Sequence, residues 1–207
     1  MKSFIFLAAV EDELAFVKSL LITTPSIRKK IHCDFITLNI GVINSLIALE
    51  KHGKLLAKNN QVIFLGTAGM LGGNFIPGEI YQAAFFRWTS IGLALKKGYL
   101  PELFYPDIKA QRLLNGPQKI PVISTPEITS DDETAKTLRR QNGLCLENLE
   151  VYGIARWLKS KNIALSAFLS VTNQVGKEGH RQYLKYRKMA WMKLTEVVYH
   201  VLAPGKK

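Results

Sequence analysis

Three polar clusters in this chain carry residue types suited to chemistry, and each follows an apolar run. Glu11-Asp12-Glu13 comes directly after "SFIFLAAV", Glu147-Asn148-Leu149-Glu150 opens "ENLEVYGIARW", and Thr172-Asn173 closes "LSVTNQVG". A carboxylate accepts O–H and N–H donors and takes up protons, and an asparagine offers a fixed donor and a fixed acceptor. Plainer readings stand beside these. Acids are favoured in the first turn of a helix by the macrodipole, and an asparagine readily caps a strand-to-loop turn. The second cluster poses the sharper question. Leu149, Ile154 and Trp157 are spaced as one buried helical face, with Glu147 one helical turn before Glu150 on the same side, so two carboxylates stand at the mouth of a helix that belongs in a core.

The elements that must hold these clusters read as alternating strands and helices. Strands are expected at "SFIFLAA", "CDFITLNIG", "QVIFLG", "IYQAAFF", "KIPVIST" and "IALSAFLSV". Helices are expected at "EDELAFVKSLL", "INSLIALEKHGKLLAK", "SDDETAKTLRRQNG", the segment after "ENLE", and a long stretch ending near His200. The third helix has concordant signals: Ser130 or Asp131 as N-cap, early acids, late Lys136, Arg139 and Arg140, and Gly143 as stop. The glycine-dense "GTAGMLGGNFIPGE" reads as a turn after the third strand. Residues 88–119 are irregular, the natural place for loops or a lid. Strands apolar on both faces, interleaved with helices, predict a three-layer α/β fold with a mixed, largely parallel central sheet flanked by helices. With no repeat or linker, residues 1–207 read as a single domain. In such sheets ligands bind beyond the carboxyl ends of the strands. Those exits are "AAVEDE", "NIGVIN", "GTAGML", "STPEIT", "LENLE" and "SVTNQVG".

Composition narrows the function classes. Hydrophobic residues make up 47% and charged residues 21% of the 207, as in a folded globular protein. Cys33 and Cys145 lack metal-ligand or CxxC spacing and read as free buried thiols of a reducing compartment. The apolar run after Lys2 is short, meets acids at once and lacks a cleavage site, so it is not read as a signal peptide. No stretch is long enough to span a membrane, and a cytoplasmic protein is expected. The net charge of +12 comes from 28 Lys+Arg against 16 Asp+Glu. The bases are dispersed, at Lys29-Lys30, Lys96-Lys97, Arg139-Arg140, Lys185 to Lys188 and Lys206-Lys207, without a nucleic-acid motif. That favours a basic surface over a polynucleotide site.

The six exits, in this order, resemble the purine nucleoside phosphorylase and nucleosidase superfamily along nearly the whole chain, least across 88–119. "FIFLAAVEDELAFV" looks like the first strand and acidic turn of methylthioadenosine/adenosylhomocysteine nucleosidases. "VIFLGTAGMLGGNFIPGEI" looks like the superfamily's Gly-rich signature, with Thr67 and Ala68 in the GTAG turn at the substrate. "LENLEVYGIA" resembles the segment whose glutamate grips the ribose hydroxyls. By that resemblance Glu150 binds the ribose diol, Leu149 stands where a methionine usually packs under the sugar, and Glu13 positions the attacking water. Glu147 stays open between ribose binding and the helix dipole. "SVTNQVG" carries Asn173 where adenine-type nucleosidases carry an aspartate. An amide suits a 6-oxopurine, its NH2 donating to O6 or N7 and its carbonyl accepting from a ring N–H. "ENLE", "TNQVG" and "STPEITSDDETA" together look most like the futalosine hydrolase branch of menaquinone biosynthesis. Ile128 and Thr129 would then lie against the base with Phe168 as a further wall, though ordinary core is the first reading of Ile128 and Phe168.

The resemblance implies hydrolysis of the N-glycosidic bond of a futalosine-like nucleoside, with no metal or organic cofactor and a homodimeric assembly. An acidic first exit suits water rather than a phosphate dianion. A phosphate-dependent phosphorylase requires a base such as Arg87 in the site. A methylthioadenosine-type nucleosidase is the second alternative, and a non-enzymatic basic binding protein the third. "FFRWTSIG" lacks the aspartate or histidine expected near the sugar's 5′ end. His180 and Arg181 could meet a carboxylate-bearing 5′ substituent or simply begin a solvated helix.

Overall fold

A computed structural model describes residues 2–25, 29, 31–56, 60–99, 105–113 and 117–202. The elements run β1 (Lys2–Ala8), α1 (Glu11–Thr23), β2 (Ile31–Thr37), α2 (Val42–Lys51), β3 (Gln61–Leu71), β4 (Ile80–Trp88), α3 (Ile91–Ala94), β5 (Ile108–Lys109), β6 (Lys119–Ser124), α4 (Asp132–Asn142), β7 (Cys145–Glu147), α5 (Val151–Ser160), β8 (Leu165–Gln174) and α6 (Gly179–Leu202). The α/β class and the helix-flanked central sheet are as expected. The sheet is mixed: of its eight pairings five are parallel, and β3–β7, β4–β5 and β4–β8 are antiparallel. It closes on itself through β3, β7, β6, β4 and β8, with β1 and β2 as a wing beside β3.

Burial on both faces explains the apolar strands. Along β1, Phe4, Phe6 and Ala8 join the layer under α1 and α6, while Ile5 and Leu7 face the core that α2 and α5 cover. This is the period of two expected of a doubly covered strand. No helix among the described residues is long and apolar enough to cross a membrane. Cys145 is buried, but Cys33 is only half-buried; both are free.

β3 departs from expectation in a way that matters for function. The strand does not stop at Gly66 but runs through "GTAGML" to Leu71. Gly69 serves close packing: a Cβ there would lie 2.6 Å from Val175 Cγ2 and 2.9 Å from Asn173 Nδ2. The chain turns later, at Gly72 and Gly73, whose φ values are +82° and +71°. One edge of β3 is shared. Residues 61–64 pair with β1 and residues 69–71 with β7. Between the two, residues 65–68 have no strand partner on that edge among the described residues. An open backbone edge inside a buried sheet demands hydrogen bonds from elsewhere.

Segment 88–119 is not wholly irregular, since it holds α3 and β5; the lid reading falls partly on residues 100–104 and 114–116, outside the described residues. In α4 the cap is Asp131, which accepts from the Thr134 N–H at 2.8 Å, and the C-cap is Gly143.

Candidate active site

The gap on the edge of β3 is filled by side chains. The backbone N–H of Thr67 donates to Oε1 of Glu13 at 3.0 Å, and Nδ2 of Asn148 donates to the Thr67 carbonyl at 3.1 Å. The peptide that neither β1 nor β7 reaches is thus satisfied by a residue from each neighbouring exit. Glu13 is held further by the N–H groups of Ala9 (3.1 Å) and Val10 (3.3 Å) on Oε2, and by the Thr67 hydroxyl on Oε1 at 3.3 Å. The Ala9 and Val10 bonds follow from its place in the first turn of α1, where free N–H groups meet an acid.

Asn148 also fixes the start of α5. Its Oδ1 accepts from the N–H of Glu150 (3.1 Å) and Val151 (3.0 Å). Glu147 is therefore the last residue of β7 rather than one turn back on the helix. Its Oε1 accepts from the hydroxyls of Thr129 (2.6 Å) and Thr125 (3.4 Å). Oε1 of Glu150 accepts from the Gly41 N–H at 2.9 Å, a bond across 109 residues that ties the exit of β2 to the mouth of α5.

A β-bulge sets the fourth wall. The register of β3 against β8 runs Ala68↔Val171 and then Gly69↔Asn173, so Thr172 is the extra residue. Without that insertion Thr172 would stand beside Gly69; with it, Asn173 does. The Thr172 hydroxyl donates to Asn173 Oδ1 at 2.8 Å, and Nδ2 donates to the Gln174 carbonyl at 3.1 Å. These two bonds lock the amide. One N–H of Nδ2 remains for the cavity.

The cavity these groups enclose measures about 330 Å³ and draws on all six strand exits, with Tyr183 and His180 of α6 on one side. Glu13, Glu150, Asn173, Leu149, Thr67, Ala68 and Ile128 all line it. Ile128 is 64% exposed and belongs to the cavity wall, against the core reading. Two residues do not reach the cavity wall, and for Phe168 the first reading, ordinary core, is the one that holds. Phe168 is fully buried under α1 and α6 because it lies deeper along β8: it pairs with Leu65, four residues before the Gly69 that pairs with Asn173. Thr129 stands behind the wall and bonds Glu147 instead of facing a ligand. Asn148, Thr172 and Tyr183 had no assigned role in the sequence reading, although an Asx residue shortly before a helix is an ordinary N-terminal signal.

Burial governs the electrostatics. Glu13, Glu147 and Glu150 are 4%, 7% and 4% exposed. Desolvation pushes the Glu13 carboxyl up to about 7, with the nearby Glu150 adding to the rise and backbone N–H groups opposing it. Glu150 and Glu147 are raised by the same cause. No lysine or arginine is among the described residues that line the cavity. Arg87, the base that a phosphate site required, is taken up by Asp107 at 2.6 and 2.9 Å. Arg181 pairs with Glu178 on the surface. Among the described residues no cluster of three or more His, Cys, Asp or Glu is arranged to hold a metal ion.

No protein-family model and no curated protein matches the chain. Solved structures do. A futalosine hydrolase mutant of Helicobacter pylori superposes with a TM-score of 0.82 at 13% identity, covering 98% of this chain and 99% of that one. The 5′-methylthioadenosine/S-adenosylhomocysteine nucleosidase of the same organism, bound to butyl-thio-DADMe-Immucillin-A, gives 0.83 at 13% identity, covering 98% of each. A structure from Francisella philomiragia described as a putative nucleosidase of that second kind gives 0.82 at 14%, covering 98% and 99%. The chain has the nucleosidase fold. At such identities the likeness reaches the fold, and chemistry must come from the cavity.

Proposed function

We propose that this chain is a nucleosidase that hydrolyses the N-glycosidic bond of a 6-oxopurine nucleoside of the futalosine type. The observation that carries the reading is the cavity's charge: three buried carboxyls and no lining lysine or arginine among the described residues. Such a wall repels a phosphate dianion and favours the positive charge that develops on a sugar as its glycosidic bond breaks.

Glu13 is the base. Three backbone N–H groups anchor its carboxylate at 3.0–3.3 Å, whereas its fourth contact, at 3.3 Å, is with the rotatable hydroxyl of Thr67. That is the bond a water can replace. The water attacks the anomeric carbon and gives its proton to Glu13. The C–N electrons leave with the base, which takes a proton from solvent while Glu13 later returns its own to solvent, and the products are the free sugar and the free purine. Glu150 accepts from the ribose diol, above Leu149. Asn173 donates its remaining N–H to O6 or N7, spreading the charge of the leaving base. A single-domain, cytoplasmic homodimer belongs to the same proposal, by analogy of fold.

The test is a nucleoside panel assayed for free base with and without inorganic phosphate. Hypoxanthine released from futalosine or inosine in phosphate-free buffer supports the reading. Release that requires phosphate and yields a sugar phosphate reverses it.

A further inference from the structure

One wall of the cavity has no part in the scheme above. It is the start of α6, whose Gly179, His180 and Tyr183 line the cavity. Gly179 is pressed against the amide of Asn173: a Cβ there would lie 3.2 Å from Nδ2. Tyr183 stands one turn further along the same helical face, and Arg187 and Trp191 follow at the same interval. The half-buried Arg187 guanidinium lies over both rings, 5.9 Å from the centre of Tyr183 and 5.7 Å from that of Trp191. It forms no ion pair among the described residues. Its partners are aromatic faces, and that contact fixes where the phenol stands.

An attacking water needs more than Glu13. One of its hydrogens goes to the carboxylate and a lone pair must face the anomeric carbon, so the second hydrogen decides how the molecule is turned. Other acceptors around the cavity are engaged. The Thr67 carbonyl takes Asn148, Asn173 Oδ1 takes Thr172, and Glu150 takes Gly41 and, in the scheme above, the diol. Tyr183 supplies an oxygen on a wall that shares the cavity with Glu13. Burial and the nearby Glu13 charge hold its phenol above the ordinary range, and hydrogen bonding to Arg187 opposes them. A phenol oxygen that accepts from Arg187 keeps a lone pair for a second donor.

Resting on the nucleosidase reading, we propose that Tyr183 is a further catalytic residue, whose hydroxyl oxygen accepts the second hydrogen of the water that Glu13 holds by the first. Arg187 is its positioning residue: lying over the Tyr183 and Trp191 rings, it keeps the phenol at the cavity wall. The water is then held at both hydrogens and aims a lone pair at the sugar carbon. Such a hold selects water over other nucleophiles. An alcohol has a single O–H and leaves one of the two oxygens without its donor, and a site built for a donor rejects the analogue lacking it.

The experiment follows cleavage of inosine and futalosine in buffer containing methanol, by the wild type, Tyr183→Phe, Arg187→Met and Arg187→Lys. Water yields the free sugar and methanol the methyl glycoside, and the ratio of the two products is independent of the fraction of each variant that folds. Tyr183→Phe is expected to raise the methyl glycoside share at least about threefold, and to lower kcat about tenfold with KM within about twofold. Arg187→Met should move the share the same way by a smaller factor. Arg187→Lys, which keeps a cation and a donor, should stay nearer the wild type. The product ratio decides. If it is unchanged in Tyr183→Phe, the proposal is overturned whatever happens to kcat, and the hydrolase reading stands. A wild type that releases base from neither nucleoside is a different failure, which ends the hydrolase reading for these substrates and the role of Tyr183 with it.

Discussion

Two concavities among the described residues differ in kind, and it is the smaller in which we place the proposed chemistry. The larger, about 670 Å³, lies between α2 and α5 and is walled by Val42, Leu46, Trp88, Tyr105, Tyr152 and Trp157. Several of its polar and aromatic groups engage one another or the chain around them. Trp157 Nε1 donates to Glu50 at 3.1 Å, the Tyr152 hydroxyl donates to the Pro106 carbonyl at 3.3 Å, and the rings of Trp88 and Tyr105 stack at 6.0 Å. The smaller cavity has half the volume but gathers Glu13, Glu147, Glu150 and Asn173 from three separate exits. Volume follows from how helices pack. Convergence follows from the sheet, where β7 replaces β1 along β3 and a bulge turns Asn173 inward. A reacting site needs the second kind of concavity.

The strongest way to break this contrast is to disarm Glu13. Glu13→Gln keeps the size of the side chain but accepts no proton, and kcat/KM for nucleoside hydrolysis is expected to fall about a thousandfold. In the wild type the acid limb of kcat/KM should bend near pH 7, where Glu13 loses its proton. Stability should run the opposite way. The Glu13 carboxyl holds its proton more tightly in the folded chain, near 7 against an ordinary 4.5. Its stabilising contribution is full below about pH 4.5 and lost as pH rises through about 7. Glu147 and Glu150, also raised by burial, push in the same direction. The melting temperature should therefore decline from pH 5 to pH 8, and Glu13→Gln should decline less. A wild type that gains stability over that window contradicts the buried-acid picture.

Glu150 comes next. Glu150→Ala removes hydrogen bonds to a charged group, each worth about 1.5–3 kcal/mol, so a loss of roughly a hundredfold in kcat/KM is expected. The sharper readout is the sugar. A 2′-deoxynucleoside should be a poor substrate for the wild type, and the variant should no longer distinguish it from the ribonucleoside. Continued discrimination by Glu150→Ala would place the diol elsewhere.

Asn173→Asp has a smaller, directional effect. It replaces the locked donor with a carboxyl that can protonate N7 and accept from a 6-amino group. The ratio of 6-amino to 6-oxo nucleoside cleavage should rise about tenfold. No change in that ratio would remove Asn173 from the base.

What was legible beforehand follows from locality. Glu13 and Glu150 stand directly after apolar runs, and order along the chain was enough to place them at strand ends. The α4 caps were legible because capping is a matter of a few consecutive residues. Glu147 was misplaced because helical spacing was counted from a start that Asn148 delays until Val151. Phe168 and Asn173 share one strand, yet one is core and the other site. Their assignment depends on how far along β8 the packing of α1 and α6 extends and on a single inserted residue, Thr172, which brings Asn173 onto the face of Phe168; an apolar run reveals neither. Thr129 and Ile128 are neighbours on a loop, where no fixed period says which side chain points inward. "GTAG" looked like a turn because glycine is the commonest turn signal, whereas Gly69 answers to the approach of Asn173 and Val175.

The smallest expected effect tests the other half of the comparison. Tyr105 is 43% exposed at the edge of the large groove, with ring contacts to Trp88 at 6.0 Å and Tyr152 at 6.4 Å. Aromatic contacts of this sort contribute about 1 kcal/mol, which lowers the melting temperature of a chain this size by about 2–4 °C. Tyr105→Ala should show that loss and leave kcat/KM within about twofold of the wild type. If hydrolysis instead fell tenfold with the fold intact, the groove would take part in substrate capture. The division of labour between the two concavities would then have to be redrawn around α5, the helix whose first turn holds Glu150 in place and whose later residues, Arg156 and Trp157, line the groove.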